Sequence, residues 1–108
     1  MSNSFSRSTA RGIGTTRTKI GSDVAANTIH IVFGATFANI TANTVSIDLE
    51  HRDSSNNYTH VLSSVPIPSG STLAFDVKIN MIDGDSLNVT STASNSVDVI
   101  VNYLAQSS

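Results

Sequence analysis

The chain has 108 residues, no cysteine, 13% charged residues and a net charge of −2 at pH 7. This length allows one domain, and the absence of cysteine excludes a disulfide framework and a thiolate metal site. The sequence contains 18 Ser, 12 Thr and 10 Asn, but only two Lys and one Glu. Because helices favour Lys and Glu, whereas turns and pleated sheets favour Ser, Thr, Asn, Val and Ile, the composition predicts an all-β protein.

The N-terminal segment is basic and has no periodicity. Residues 1–22 carry four basic residues and no acid, a charge of +4, and the remainder carries two basic and eight acidic residues, a charge of −6. Without helical or strand periodicity, residues 1–14 are predicted to form an extended arm that docks onto a neighbouring subunit, and residues 15–108 to form a β-sandwich domain. The partner-binding residues predicted from this segment are Phe5, Arg7, Arg11, Ile13, Arg17 and Lys19.

Strand patterns begin after the arm. Residues 15–20 predict a first short strand, and residues 28–33 predict a second with Ile29, Ile31 and Phe33 on one face. Gly34 predicts a bulge or a kink in this second strand, which residues 36–40 would continue. Residues 45–50 then alternate strictly, with Val45, Ile47 and Leu49 predicted to face the core.

The second half of the chain continues this pattern. Residues 53–57 predict a hairpin loop before a strand over 58–63, and the two prolines in 65–70 restrict that segment to a sheet edge or a crossover. Leu73, Phe75, Val77 and Ile79 predict the next inward face, residues 83–85 a turn, and residues 87–91 and 97–104 the last two strands. Seven or eight strands separated by turns indicate one antiparallel β-sandwich, with immunoglobulin-like and jelly-roll strand orders both open.

Few residues suggest chemistry. His51 and His60 flank the predicted hairpin and would need Asp53 as a third ligand to bind a metal, so two surface histidines are the favoured interpretation. Asp83-Gly84-Asp85 has the spacing of a calcium loop but no following ligands, and Asp-Gly is an ordinary turn dipeptide. A nucleophile elbow and a phosphate-binding glycine loop are both missing from the sequence. We therefore predict no enzymatic activity, no cofactor and no metal site.

The basic segment has two possible partners. Phosphate neutralisation would allow nucleic-acid binding, but residues 1–22 contain no Trp or Tyr that could stack on bases. An acidic protein surface, including that of another copy, explains the same charges, and we favour protein contact and a homo-oligomer over nucleic acid. An apolar run of signal-peptide or membrane-spanning length is also missing, which predicts assembly in the cytoplasm and no membrane partner.

Four stretches of the chain carry a resemblance to a known group of proteins. Residues 39–41 (Asn-Ile-Thr), 65–71 (Val-Pro-Ile-Pro-Ser-Gly-Ser), 83–87 (Asp-Gly-Asp-Ser-Leu) and 96–104 (Ser-Val-Asp-Val-Ile-Val-Asn-Tyr-Leu) resemble, in this order, small virion proteins of tailed bacteriophages. The resemblance covers residues 28–104, and residues 75–82 depart from the pattern of the group. It implies a structural role on the particle, at the capsid surface or at the neck.

The sequence and the resemblance together predict a non-enzymatic virion structural protein. A capsid decoration (cement) protein is the preferred function, in contact with the major capsid protein. A neck, collar or tail component that forms a ring is the alternative. A receptor- or carbohydrate-binding module is disfavoured because the chain contains two Tyr and no Trp.

Overall fold

The computed structural model describes residues 2–76 and 78–107, which form two antiparallel β-sheets. The strands are β1 (Ser2–Ile13), β2 (Thr18–Ile20), β3 (Thr28–Asn39), β4 (Val45–Arg52), β5 (Tyr58–Ile67), β6 (Thr72–Phe75), β7 (Ile79–Met81), β8 (Ser86–Ser91) and β9 (Val97–Ser107). Within the described ranges there is no helix that could span a membrane. The architecture confirms the predicted all-β sandwich.

The strand order decides between the two sandwich topologies. Sheet A has the order β1-β9-β3-β6, with β7 also paired to β3, and sheet B has the order β2-β8-β4-β5. Strands β6 and β7 pair with successive parts of β3 and act as two halves of one interrupted strand. Sheet A then holds the first, last, third and sixth strands, and sheet B the second, seventh, fourth and fifth. This is jelly-roll order and not the immunoglobulin arrangement.

One hydrophobic core lies between the two sheets. Alternation along β4 buries Val45, Ile47 and Leu49, as predicted, and β3 contributes Val32 and Phe37, both fully buried. Partly buried Leu73, Phe75 and Ile79 pack against this core, and Val77 lies outside the described residues. The core residues are Ile13, Ile20, Val24, Val32, Ala35, Phe37, Val45, Ile47, Leu49, Ile67, Met81, Leu87, Val89, Val97, Val99 and Val101.

Residues 2–13 form the edge strand of sheet A. Their register with β9 runs from Ser2 opposite Ser107 to Ile13 opposite Val97. The segment predicted as an arm is therefore, in this structure, the first strand of the sandwich, and Met1 lies outside the described residues. Its pairing did not show as alternation because the inward positions opposite β9 are small and mostly polar. A backbone ladder can order such a segment without apolar side chains.

Three of the predicted local features are present. The β3–β9 register shifts between Val32 and Gly34, which confirms the bulge. The Asp53 carboxylate accepts hydrogen bonds from the backbone N–H groups of Ser55 and Asn57 in the β4–β5 hairpin, and this bonding lowers the pKa of Asp53. Pro66 lies in β5, the edge strand of sheet B, where a missing N–H group leaves the sheet intact.

The turn at Gly84 gives a stability prediction with an internal control. Gly84 has a φ of 85°, and a Cβ atom there would lie 2.7 Å from the Ser54 Cβ atom. Gly70 has a φ of 67° but open space around it. We expect Gly70→Ala to cost about 1–2 kcal/mol through backbone strain alone, and Gly84→Ala to cost more. Chemical denaturation of both variants measures the difference, and equal losses would show that the turn absorbs the clash with Ser54.

Candidate interaction surface

The outer face of sheet A is apolar. Alternation from the buried positions of β3 and β9 places the intervening side chains on this outer face. Phe5 is 78% exposed, Phe33 44% and Ile82, just after β7, 61%. The residues of this surface, called the apolar face below, are Phe5, Ile29, Ile31, Phe33, Ile82, Ile100 and Leu104.

The apolar face is built by register across three strands. Phe5 of β1 lies opposite Leu104 of β9, which lies opposite Ile31 of β3. The bulge in β3 presents Phe33 beside this row, and the rings of Phe5 and Phe33 meet edge to face with their centroids 5.9 Å apart. Ile29 and Ile82 line a neighbouring shallow groove of about 390 Å³. Exposed apolar side chains that share one face indicate a binding surface.

Two basic side chains border the apolar face. Arg7 and Arg11 lie on β1 and are exposed, and neither forms an ion pair within the part of the chain that the structure describes. Asp98 lies on β9 opposite the bulge that contains Arg11, and its carboxylate accepts the Gly12 N–H at 2.9 Å. The two guanidinium groups are therefore available to acidic groups of another molecule.

The outer face of sheet B is polar and internally paired. Glu50 is 6% exposed because Arg17 covers it, donating from Nε at 3.0 Å and from Nη2 at 3.1 Å. The same guanidinium lies 3.8 Å from the centroid of the Tyr58 ring, and the hydrogen bonds to Glu50 raise the pKa of Arg17. Lys19 Nζ lies 2.8 Å from Asp23 Oδ1, and the hydrogen bond between them is the main cause that lowers the pKa of Asp23. Arg17 and Lys19 are therefore paired with carboxylates of the same chain.

The structure separates the six sequence-predicted contact residues into three groups. Phe5 and Arg7 lie on the outer face of sheet A and Arg11 is exposed in the bulge that follows, whereas Arg17 and Lys19 form ion pairs beside sheet B. The remaining residue, Ile13, is 2% exposed in the core and offers no surface. Sequence reasoning missed the exposed members of β3, β9 and the β7–β8 turn, namely Ile29, Phe33, Ile82 and Ile100.

The different roles of Arg17 and Lys19 can be tested. We expect Arg17→Ala to lower the thermal unfolding midpoint more than Lys19→Ala, because the first change uncovers and unpairs the nearly buried Glu50 carboxylate. The carboxylate of Asp23, in contrast, is exposed and keeps its partner Arg52, 3.0 Å away, when Lys19 is removed. Calorimetry of both variants at one pH gives the comparison. Equal midpoints would mean that water replaces Arg17 at no cost.

The histidines are not brought together. His51 contacts Asp85, with 3.0 Å between Nε2 and Oδ2, while His60 approaches Glu50 at 3.9 Å on the outer face of sheet B. His30 stacks on Tyr103 with 4.3 Å between ring centroids, and burial lowers its pKa. Residues 2–76 and 78–107 contain no cluster of three potential metal ligands. The arrangement offers packing and hydrogen bonding, and the apolar face is the candidate functional surface.

The fold is similar to those of solved proteins of diverse origin. A protein of the disulfide-linked pili of Bacillus endospore appendages matches with a TM-score of 0.59 and 12% identity, over 97% of this chain and 88% of that one. The nucleoplasmin-like N-terminal domain of Drosophila FKBP39 matches with a TM-score of 0.51 and 10% identity, over 98% of this chain and 92% of that one. A protein of the infectious bursal disease virus particle matches with a TM-score of 0.58 and 9% identity, over 95% of this chain.

These likenesses concern the fold. The chain spans 30% of the virus protein, and all three identities lie at 12% or below. No protein-family model and no curated protein matches the sequence. Structural neighbours therefore include a viral particle protein and a pilus protein.

Proposed function

We propose that this chain is a non-enzymatic structural protein of a bacteriophage virion, and specifically a capsid decoration (cement) protein. The observation that carries the proposal is the apolar face of sheet A. The resemblance of residues 28–104 to small phage virion proteins supports the same function, and a jelly-roll fold is compatible with it because viral capsid domains use this fold.

The apolar face supplies a driving force for docking. Burying a large apolar side chain contributes about 1.5–3 kcal/mol, and the face exposes two Phe and several Ile side chains. An edge-to-face pair such as Phe5 and Phe33 forms a rigid aromatic centre, the type of residue that dominates binding energy at interfaces. Left in water, the same side chains favour aggregation, so a covering partner explains their position.

The charges define the chemistry of the partner surface. Arg7 and Arg11 border the apolar face without ion-pair partners in the described structure, so a matching surface has an apolar centre and carboxylates at one side. A capsid shell of many identical subunits would offer such a surface many times. Each decorating copy then adds a modest contact, and the sum stabilises the shell.

Copy number per particle tests the proposal. Quantitative mass spectrometry of purified virions, measured against the major capsid protein, should find on the order of hundreds of copies for a decoration protein, as expected from shell symmetry. A dozen or so copies would reject decoration in favour of a neck, collar or tail ring. Absence of the protein from the virion would overturn the whole proposal.

A further inference from the structure

We propose that β1 exchanges between copies of this chain, so that residues 2–11 of one copy pair with β9 of a neighbouring copy. The exchange would give the basic N-terminal segment a defined partner, which is the same sheet edge in a second molecule. It concerns contacts between copies and needs no other virion protein, so it can be tested separately from the proposed function.

Side chains contribute little to holding β1 in place. The positions on the inner side of this strand are Ser4, Ser6, Ser8 and Ala10, and the first two are exposed. On the outer side Phe5 is 78% exposed. The strand is therefore held mainly by its backbone ladder with β9. Elements with few buried apolar contacts have a low free energy of local opening.

The chain is firmly anchored just after Gly12. The Gly12 N–H donates to Asp98 Oδ1 at 2.9 Å, and the side chain of Ile13 is 2% exposed in the core. The carbonyl of Ile13 accepts the Ser96 N–H at 2.9 Å, and the carbonyl of Gly14 accepts the Ser91 N–H at 2.8 Å. The buried Ile13 side chain and the two carbonyl bonds fix residues 13 and 14, and the residues before them can open as a unit once the single Gly12 hydrogen bond breaks.

A pivot lies between the loosely held and the anchored parts of this segment. The β1–β9 register shifts between Ala10 and Ile13, and Gly12 within this bulge has a φ of 63°. Glycine adopts both signs of φ at little cost, so the strand direction can change here without side-chain strain. A bulge next to a glycine at the edge of a sheet is a suitable hinge for exchange.

A second copy is the partner that satisfies the released strand best. The ladder runs in one register from Ser2 opposite Ser107 to Ala10 opposite Val99, and only another copy repeats that side-chain sequence. Exchange also restores the ring contact between Phe5 and Phe33, now across two chains. Since the closed and exchanged forms make the same contacts, the balance is set by the pivot and by the local concentration of copies.

Single introduced cysteines test the exchange, because the chain has none of its own. One chain carries Ser4→Cys and a second, of different mass, carries Ala105→Cys, the directly opposed position. The two are unfolded together, refolded at high concentration and oxidised. The control mixture pairs Thr36→Cys with Ile100→Cys, which face each other on two inner strands of sheet A.

Exchange predicts a disulfide between the two different chains at least about tenfold more abundant than in the control, since strand pairing holds the thiols at an effective concentration of order mM. The double variant Ser4→Cys/Ala105→Cys should then give covalent dimers or larger species. A hetero-disulfide yield equal to the control, with the double variant closing only within single chains, would overturn the proposal.

A second cysteine pair guards against unsuitable disulfide geometry. Opposed pairs in an antiparallel ladder alternate between two Cα separations, so Arg7→Cys with Asn102→Cys samples the geometry that Ser4 and Ala105 do not. The pair that cross-links in its double variant, within or between chains, is the one that is scored. Circular dichroism of each single variant confirms that the sandwich is folded.

Discussion

Replacing Phe37 by Ala is expected to lower the free energy of unfolding by about 3–5 kcal/mol. Phe37 is fully buried near the C-terminal end of β3, opposite Leu73 of β6 and Val99 of β9. A domain of this size has a total stability of about 5–15 kcal/mol, so the loss would remove a large part of it. Urea denaturation followed by far-UV circular dichroism measures the change.

Phe33, four residues earlier on the same strand, is the matched control. It lies on the outer face and is 44% exposed, so Phe33→Ala leaves no cavity, and we expect a cost of about 1 kcal/mol or less from the lost ring contact. A similar loss for the two variants would mean that the outer ring stabilises the fold itself and is not kept for a partner.

This pair of phenylalanines shows what the sequence could and could not predict. Alternation correctly placed Ile29, Ile31 and Phe33 on one face of β3, and the opposite face carries Val32 and Phe37. Both faces are apolar, however, so hydrophobic periodicity cannot tell which one meets the core. The choice depends on the position of sheet B, which is set by long-range pairing.

Short-range features were predicted better than long-range ones. The alternation of β4, the bulge at Gly34, the hairpin at 53–57 and the edge position of Pro66 each follow from local steric and hydrogen-bonding preferences, and all are present. The jelly-roll order depends on which distant strands pair and had no local signal. Residues 2–13 form β1 because their backbone pairs with β9. The small, Ser-rich inward positions of this segment gave no hydrophobic alternation that would predict the pairing.

The sequence also drew attention to some residues of the candidate surface, whose role in partner binding stays a prediction. Phe5, Arg7 and Arg11 stood out as apolar and basic residues in a polar segment. Phe5 and Arg7 lie on the outer face of sheet A, and Arg11 is exposed in the bulge beside it. Ile13 stood out equally but is the first core residue of the strand. Composition and charge identify residues whose side chains are suited to binding a partner. Their exposure in the folded protein decides which of them a partner can reach.

Removing the two rings of the apolar face is expected to weaken attachment to the capsid by at least about thirtyfold, the effect of losing one binding hot spot of about 2 kcal/mol. The variant is Phe5→Ala/Phe33→Ala, which deletes both members of the edge-to-face pair. Purified protein is added to particles that lack it, and bound and free fractions are measured over a concentration series.

Ile40→Ala is the matched control for this experiment. Ile40 is 51% exposed but follows the end of β3, about 23 Å along the strand direction from Phe33 at the usual rise per residue. It should bind as the unmodified chain does. Phe33→Ala alone separates docking from strand exchange, because Phe33 is not part of β1 and its contact with Phe5 is present in both the closed and the exchanged forms.

Binding and folding stability should respond differently to the ring variants. If the apolar face docks onto the shell, the ring variants lose binding while their unfolding midpoints stay close to that of the unmodified chain. Added salt should weaken binding further, because Arg7 and Arg11 are expected to meet carboxylates of the partner. Undiminished binding by the double ring variant would move the docking surface away from sheet A and remove the observation on which the proposed function rests.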